Sequence, residues 1–269
     1  MTSVNDIITR FEKFAPLALR EDGDPTGFQI GSKKNIVHKM MTTLDVRPEI
    51  VQEAINKHVD FIFAHHPVMF RPAKNLDLSN PQNKMYADIL KNNITVYAAH
   101  TNLDNANGGM NDWLAETIKL QNVKGLVLHD TNINGINHYM GRIGNLSHSM
   151  SVRELSELCK KEFKVSGLRL VTNDVNHLIK RVAILGGSGG KFYPIALKKG
   201  ADLYITGDLY YHTSQDMLAY GLDAIDPGHH IESICKVKLQ TIFQKWNQEN
   251  DWKIEVITSE INTDPFTFA

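Results

Sequence analysis

Two adjacent histidines, His65 and His66, end the apolar run DFIFA and stand directly before Pro67. A buried strand has little structural reason to end in two imidazoles, and the proline stops ladder pairing there. Within a strand their rings would point to opposite faces. Just past its end the backbone can turn both towards one pocket. Three more polar clusters follow β-forming runs in the same way: Asp45 after MMTTL, His100 with Asp104 after TVYAA, and His229-His230 with Glu232 after DAID. In open α/β sheets ligands bind outside the carboxyl ends of strands, so loops from separate strands can share one crevice.

Taken singly, each cluster has an ordinary explanation. His65 and His66 could be surface residues, Asp104 a turn or cap residue, and Glu232 a helix-start carboxylate beside a solvated imidazole. Taken together, His65, His66, Asp104, His229 and Glu232 offer three imidazoles and two carboxylates. A catalytic zinc ion needs only three protein ligands, so five suit a centre of two divalent ions with one bridging carboxylate, for which Asp104 is the candidate. His229 and Glu232 are three residues apart at an expected helix start, which puts them on one side of the first turn. Mixed nitrogen and oxygen ligation fits Zn, Mn, Fe, Co or Ni. Two such ions acidify a shared water and clamp a phosphate or carbonyl oxygen, which is hydrolase chemistry. His100 could shuttle protons for such a reaction or lie buried behind the ligands.

A competing motif is Gly186-Gly187-Ser188-Gly189-Gly190, which satisfies G-x-S-x-G between an expected strand and helix. Asp208 or Asp226 and then His229 follow in the order of a serine hydrolase. The flanking glycines make that match easy, however, and no HGGG-type segment precedes it. Neither nucleotide-binding glycine pattern is satisfied, which leaves a packing turn as the expected role. Thr206, Asp208 and His212 in TGDLYYH could support ligands or cap the next helix.

The elements that must position these residues alternate short β-rich runs with amphipathic helical runs, as in an α/β fold with largely parallel or mixed sheets. Helices are expected around 4–14, from Pro48, over 81–91, from Gly109, and over SVRELSELCKKEF, FYPIALKKG, HTSQDMLAYG and SICKVKLQTIFQKW. Strands are expected near 40–44, 61–64, ITVYAAH, KRVAIL, DLYIT, LDAID and WKIEVIT, with polar loops near 73–83 and 129–138. The expected lobes are 1–125 with 228–269, carrying most of the ligands, and 126–227.

The chain has 269 residues, 29 Lys+Arg against 30 Asp+Glu, and 42% hydrophobic residues. That near-neutral balance excludes a strongly basic nucleic-acid binder and matches an ordinary globular protein. No apolar stretch is long enough to span a bilayer, and MTSVNDIITRFEKF lacks a signal-peptide core, so a cytoplasmic protein is expected. Cys159 and Cys235 lie far apart without metal or disulfide spacing and read as structural thiols.

The motifs DPTGFQIG, TTLDVRPEIVQEAI, FIFAHHPVMF, YAAHTNLDNANGGMNDWLAE, LGGSGG, ADLYITGDLYYH and DPGHHIES occur in this order. In them the chain resembles the NIF-three-like family, whose members are commonly named GTP cyclohydrolase I type 2 homologues. The resemblance implies two α/β lobes, a toroidal homohexamer, and two divalent metal ions per chain at His65, His66, Asp104, His229 and Glu232. Some relatives space the last ligands H-x-x-x-E where this chain has H-x-x-E, leaving His229 and His230 both open. Some also carry a large inserted domain, for which this chain has no room between TNLDN and PGHHIES. The implied activity is metal-dependent hydrolysis of a nucleotide or related phosphorylated compound, GTP being the named candidate. The alternative is a metal-binding interaction or regulatory scaffold without robust turnover.

Overall fold

The computed structural model describes residues 1–268. The chain forms two compact units, Met1–Leu103 with Cys235–Thr263, and Asp104–Ile234 with residues 264–268. Each is α/β with one mixed sheet, in agreement with the expected fold class. The division differs from the expected boundaries near 125 and 228. The helix Met110–Thr117 and the strand Gln121–Leu128 lie in the second unit because that strand pairs with Tyr139–Ser151, and 228–234 stay with it too. The ligand candidates therefore divide as His65 and His66 in the first unit and Asp104, His229 and Glu232 in the second.

In the first unit the strands are β1 (Gly27–Ile30), β2 (Lys39–Thr43), β3 (Phe61–Ala64), β4 (Thr95–Ala98) and, after the chain returns, β11 (Glu255–Thr258). Their order is β1-β4-β3-β2-β11, with β1 antiparallel and the rest parallel. Helices α1 (Val4–Glu12), α2 (Pro48–Asn56), α3 (Pro81–Lys91) and α9 (Cys235–Glu249) cover the sheet. Their starts are written in the sequence. Ser3 and Asp6 form a capping box on α1, Pro48 opens α2, and Asn80 caps α3 ahead of Pro81.

Strand β3 is buried along its whole length, as a central parallel strand must be. Ile62 and Ala64 face a core built from Ile50, Val51, Met85 and Ile89 of α2 and α3. Phe63 points the other way. Its ring lies 4.7 Å from those of Phe11 and Phe243 and 5.2 Å from that of Tyr97. Packing on both faces fixes the register of β3, and with it the point where His65 and His66 emerge.

In the second unit the strands are β5 (Gln121–Leu128), β6 (Tyr139–Ser151), β7 (Arg169–Val171), β8 (Leu178–Ile184), β9 (Leu203–Ile205) and β10 (Asp223–Asp226). They are ordered β5-β6-β8-β9-β10-β7, with parallel pairing confined to β8, β9 and β10. The helices are α5 (Met110–Thr117), α6 (Val152–Phe163), α7 (Tyr193–Lys198) and α8 (Tyr211–Ala219). The short helix α4 (Thr101–Asn105) carries Asp104. Arg142, 3% exposed, joins β6 to α5 through a two-pronged pair with Asp112, with N–O distances of 2.7 and 2.6 Å. Parallel strands β8, β9 and β10 end together, so their following loops lie at one end of this sheet. Those loops are GGSGG, TGD and PGHHIE.

Both cysteines are buried thiols, and burial pushes the Cys159 thiol up to about 12. No helix among the described residues is long and apolar enough to cross a membrane.

The strand β11 and the segment after it are held to α2 by Glu53. Burial raises its carboxyl, but the amide of Glu260, the Ser259 hydroxyl and the Lys57 ammonium together hold it below the usual carboxylate range. A carboxyl depressed in the folded state stabilises above its unfolded value, about 4.3, and that contribution is lost as pH falls through the folded value. Glu53→Gln removes it. In urea unfolding, the drop in midpoint from pH 7 to pH 3 is expected to be smaller in this variant than in wild type. An equal drop would remove Glu53 from the acid response.

Candidate metal centre

Backbone pairing continues past β3, with the amides of His65 and His66 donating to the carbonyls of Thr43 and Leu44 at 3.1 and 2.9 Å. Even so, the two rings come together, with centroids 4.9 Å apart. The His100 ring, just beyond β4, lies 5.3 Å from that of His65 and 5.6 Å from that of His66. One ring nitrogen from each of the three falls within 4.8 Å of the other two. His65 is fully buried and the other two are half-buried. Three imidazoles at this spacing are a nitrogen donor set suited to a divalent transition metal.

Each ring is held by an acceptor at Nδ1. His65 Nδ1 donates to the carbonyl of Ala99 at 2.7 Å, His66 Nδ1 to Asp45 at 2.7 Å, and His100 Nδ1 to Asp24 at 2.8 Å. A carbonyl or carboxylate can only accept, so the proton of each neutral ring sits on Nδ1 and the lone pair on Nε2. This is the arrangement by which ligating histidines are oriented and made more basic. Asp45 is itself held by the hydroxyl of Thr263.

Asp24 is the anchor of the DPTG turn. Its carboxylate accepts from His100, from the hydroxyls of Thr26 and Thr101 and from the Thr101 amide. Burial pushes its carboxyl up, but the hydrogen bond and electrostatic attraction of His100, with the two hydroxyls, outweigh this and hold it well below the usual range. Sequence reasoning did not single out Asp24, the partner of His100; the DPTG motif was its one signal.

In the second unit, His229 and Glu232 lie in a 3-10 turn, His229–Ile234. Residues three apart eclipse in such a turn, so H-x-x-E brings His229 Nε2 to 3.1 Å from a Glu232 carboxylate oxygen. The turn starts from Gly228 at φ +83°, whose amide donates to Asp226. His229 Nδ1 donates to Asp208 at 2.7 Å, and Asp208 adopts a left-handed backbone, φ +54°. With its proton on Nδ1, the Nε2 lone pair of a neutral His229 faces a carboxylate. That contact is favourable only with positive charge there, either a second proton or a metal cation.

Glu232 is 3% exposed, and one of its oxygens lies within 4.8 Å of an Asp104 carboxylate oxygen. Glu232 is thus within reach of both Asp104 and His229. Asn111, fully buried, ties this group together by donating to the Asp104 carbonyl and accepting from the Gly186 amide, both at 3.0 Å. Nothing in the sequence marks Asn111 beyond its place in the NGGMNDW run.

The serine-hydrolase arrangement is not assembled. Asp226 is occupied by Arg169 and by the amides of Leu209 and Gly228. His229 Nε2 faces Glu232, and no hydrogen bond joins Ser188 to His229 among the described residues. Thr206 is buried behind the glycine loop, where its hydroxyl accepts from the Gly189 amide.

The sequence pattern of the family described as Duf34/NIF3 (NGG1p interacting factor 3) matches residues 2–265. The chain belongs to the DUF34/NIF3 family. A Streptococcus pneumoniae serotype 4 protein named GTP cyclohydrolase 1 type 2 homolog is 42% identical over 265 residues, covering 97% of this chain and 98% of the relative. A Bacillus subtilis protein of the same name is 30% identical and covers 99% of both chains. That alignment runs over 370 positions, more than the 269 residues here, so this relative carries residues the chain lacks. Among solved DUF34/NIF3 structures, a Bacillus cereus protein related to NIF3 superposes with a TM-score of 0.96 at 28% identity, covering 100% of this chain and 99% of the other.

Removing an orienting carboxylate tests the reading of these rings. Asp208→Asn is expected to weaken uptake of a divalent ion about tenfold to a hundredfold, measured by competition with a chromophoric chelator, with unchanged far-UV circular dichroism. Unchanged affinity would show that Asp208 does not prepare His229 for ligation.

Proposed function

We propose that this protein is a divalent-metal-dependent hydrolase that takes two ions per chain, with His65, His66, Asp104, His229 and Glu232 as their ligands. The substrate class is a nucleotide or related phosphorylated compound. GTP enters as a candidate through the name carried by the S. pneumoniae and B. subtilis relatives. Self-association into a homohexamer is part of the same proposal.

The observation that carries the reading is the protonation pattern. His65, His66 and His229 each give Nδ1–H to an acceptor, which leaves Nε2 as the donor atom, and Glu232 brings a buried carboxylate to 3.1 Å from one of them. Such a set is costly to bury without a cation. When bound, two divalent ions would acidify water and polarise a phosphoryl or carbonyl oxygen.

The remaining steps belong to the chain. Asp45, Asp208 and the Ala99 carbonyl keep the ligating rings in one tautomer and one orientation. Asp24 holds the Nδ1 proton of His100, so His100 can accept a proton at Nε2 and release it again without turning. The Thr26 and Thr101 hydroxyls keep Asp24 ionised for that task.

Metal-loaded protein should hydrolyse at least one member of a nucleotide panel that includes GTP, with saturation kinetics, read by anion-exchange chromatography. His100→Ala should retain its metal and lose about a hundredfold in kcat. Full metal content with no saturable turnover across the panel would contradict the hydrolase reading. It would favour a metal-binding regulatory protein.

A further inference from the structure

The glycine run after β8 is not used by the site as described so far. Gly186 and Gly187 lie directly against the metal-ligand candidates. A Cβ on Gly186 would stand 2.7 Å from a Glu232 carboxylate oxygen, and one on Gly187 would stand 3.1 Å from the same oxygen and 3.3 Å from His229 Nε2. Bare backbone therefore forms this wall of the site, and Gly187 takes the left-handed conformation, φ +61°.

The loop is pinned on both sides. The Gly186 amide donates to Asn111 and the Gly189 amide to the Thr206 hydroxyl, while the Gly187 carbonyl accepts from the Gly207 amide at 2.9 Å. Between these anchors, the amides of Gly187 and Ser188 donate to no group among the described residues. Gly187 is buried and Ser188 is exposed. A left-handed residue flanked by ordinary backbone turns successive N–H groups to one side, the concavity in which proteins bind tetrahedral anions. Close approach of backbone to a ligand is also what glycine permits and a side chain would prevent.

We propose that the Gly186–Gly190 loop is an oxyanion cradle that holds the phosphoryl group of the substrate through the amides of Gly187 and Ser188. This rests on the hydrolase reading, since it places the phosphoryl end of the ligand, rather than its base or sugar, beside His229 and Glu232. The surrounding carboxylates Asp104, Asp208 and Glu232 would repel an anion, so the cradle works only while cations are bound near it. The specificity is for a phosphate monoester or free phosphate.

Proline in place of Ser188 deletes one of the two open amides without altering charge, and Ser188→Ala keeps the amide and serves as its control. Inorganic phosphate is titrated into the metal-loaded full-length protein by calorimetry, with metal content of each sample read by elemental mass spectrometry. Ser188→Ala should bind phosphate within about twofold of wild type, and Ser188→Pro at least about tenfold more weakly, with equal metal content in all three. If the proline variant loses its fold or its metal, Ser188→Glu replaces it. There, like charge at the loop should weaken phosphate by at least the same factor. Phosphate affinity equal to wild type in a folded, metal-loaded proline or glutamate variant overturns the cradle, as does a wild type that binds no phosphate at millimolar concentrations. Guanosine monophosphate and guanosine, titrated in parallel, separate the sources. A nucleotide phosphoryl group requires the proline variant to weaken the monophosphate and leave guanosine unchanged. A wild type that takes up no divalent ions would sink the hydrolase reading together with the cradle, whereas full phosphate affinity in a metal-loaded proline variant would sink the cradle alone.

Discussion

An imidazole can offer a lone pair in a fixed direction only if its other nitrogen keeps its proton, and much of this structure serves that requirement. His65, His66, His100 and His229, from both units, place Nδ1 against an acceptor: the Ala99 carbonyl, Asp45, Asp24 and Asp208 in turn. Each acceptor is located by a different part of the fold. Ala99 lies just past β4, Asp45 just past β2, Asp24 in the DPTG turn, and Asp208 in the left-handed step after β9. Asp24 apart, the carboxyl ends of parallel strands therefore supply both the rings and the groups that orient them.

The packing beneath explains why those strand ends can be placed so closely. Phe63 and Tyr97 on adjacent strands stack with ring centroids 5.2 Å apart, and Ile62 and Val96 pack into the opposite core. A slip of one residue in β3 would bury the wrong face on both sides and move His65 and His66 by about 3.3 Å. In the second unit the corresponding constraint is polar. Asn111 links the Asp104 carbonyl to the Gly186 amide, and the glycines after β8 leave room for Glu232. A methyl group on Gly186 would need that carboxylate to move.

Much of this was legible in the sequence. The helices from Pro48 and Pro81 announce themselves by proline at the first turn, and FIFA by an unbroken apolar run. The clusters after strands pointed to His65, His66, His100, Asp104, His229 and Glu232, because buried strands rarely end in such residues without a use for them. What was hidden depends on contacts between distant segments. Strand β6, YMGRIGNLSHSMS, has two glycines and no clean alternation, and is held by β5 and β8 on either side. That pairing also moves the unit boundary away from residue 125. Asp24 and Asn111 lie 76 and 75 residues from the His100 and Gly186 partners that give them meaning. The 3.1 Å approach of His229 Nε2 to Glu232 follows from a 3-10 turn where a helix start was expected, which spacing alone does not distinguish.

The central claim is that these side chains hold two divalent ions, and elemental mass spectrometry of untagged protein tests it most directly, comparing wild type with His65→Ala and Glu232→Ala. The account predicts close to two ions per chain in wild type and a sharp loss in both variants. Little metal in wild type after reconstitution, or a content unchanged by either substitution, would contradict it.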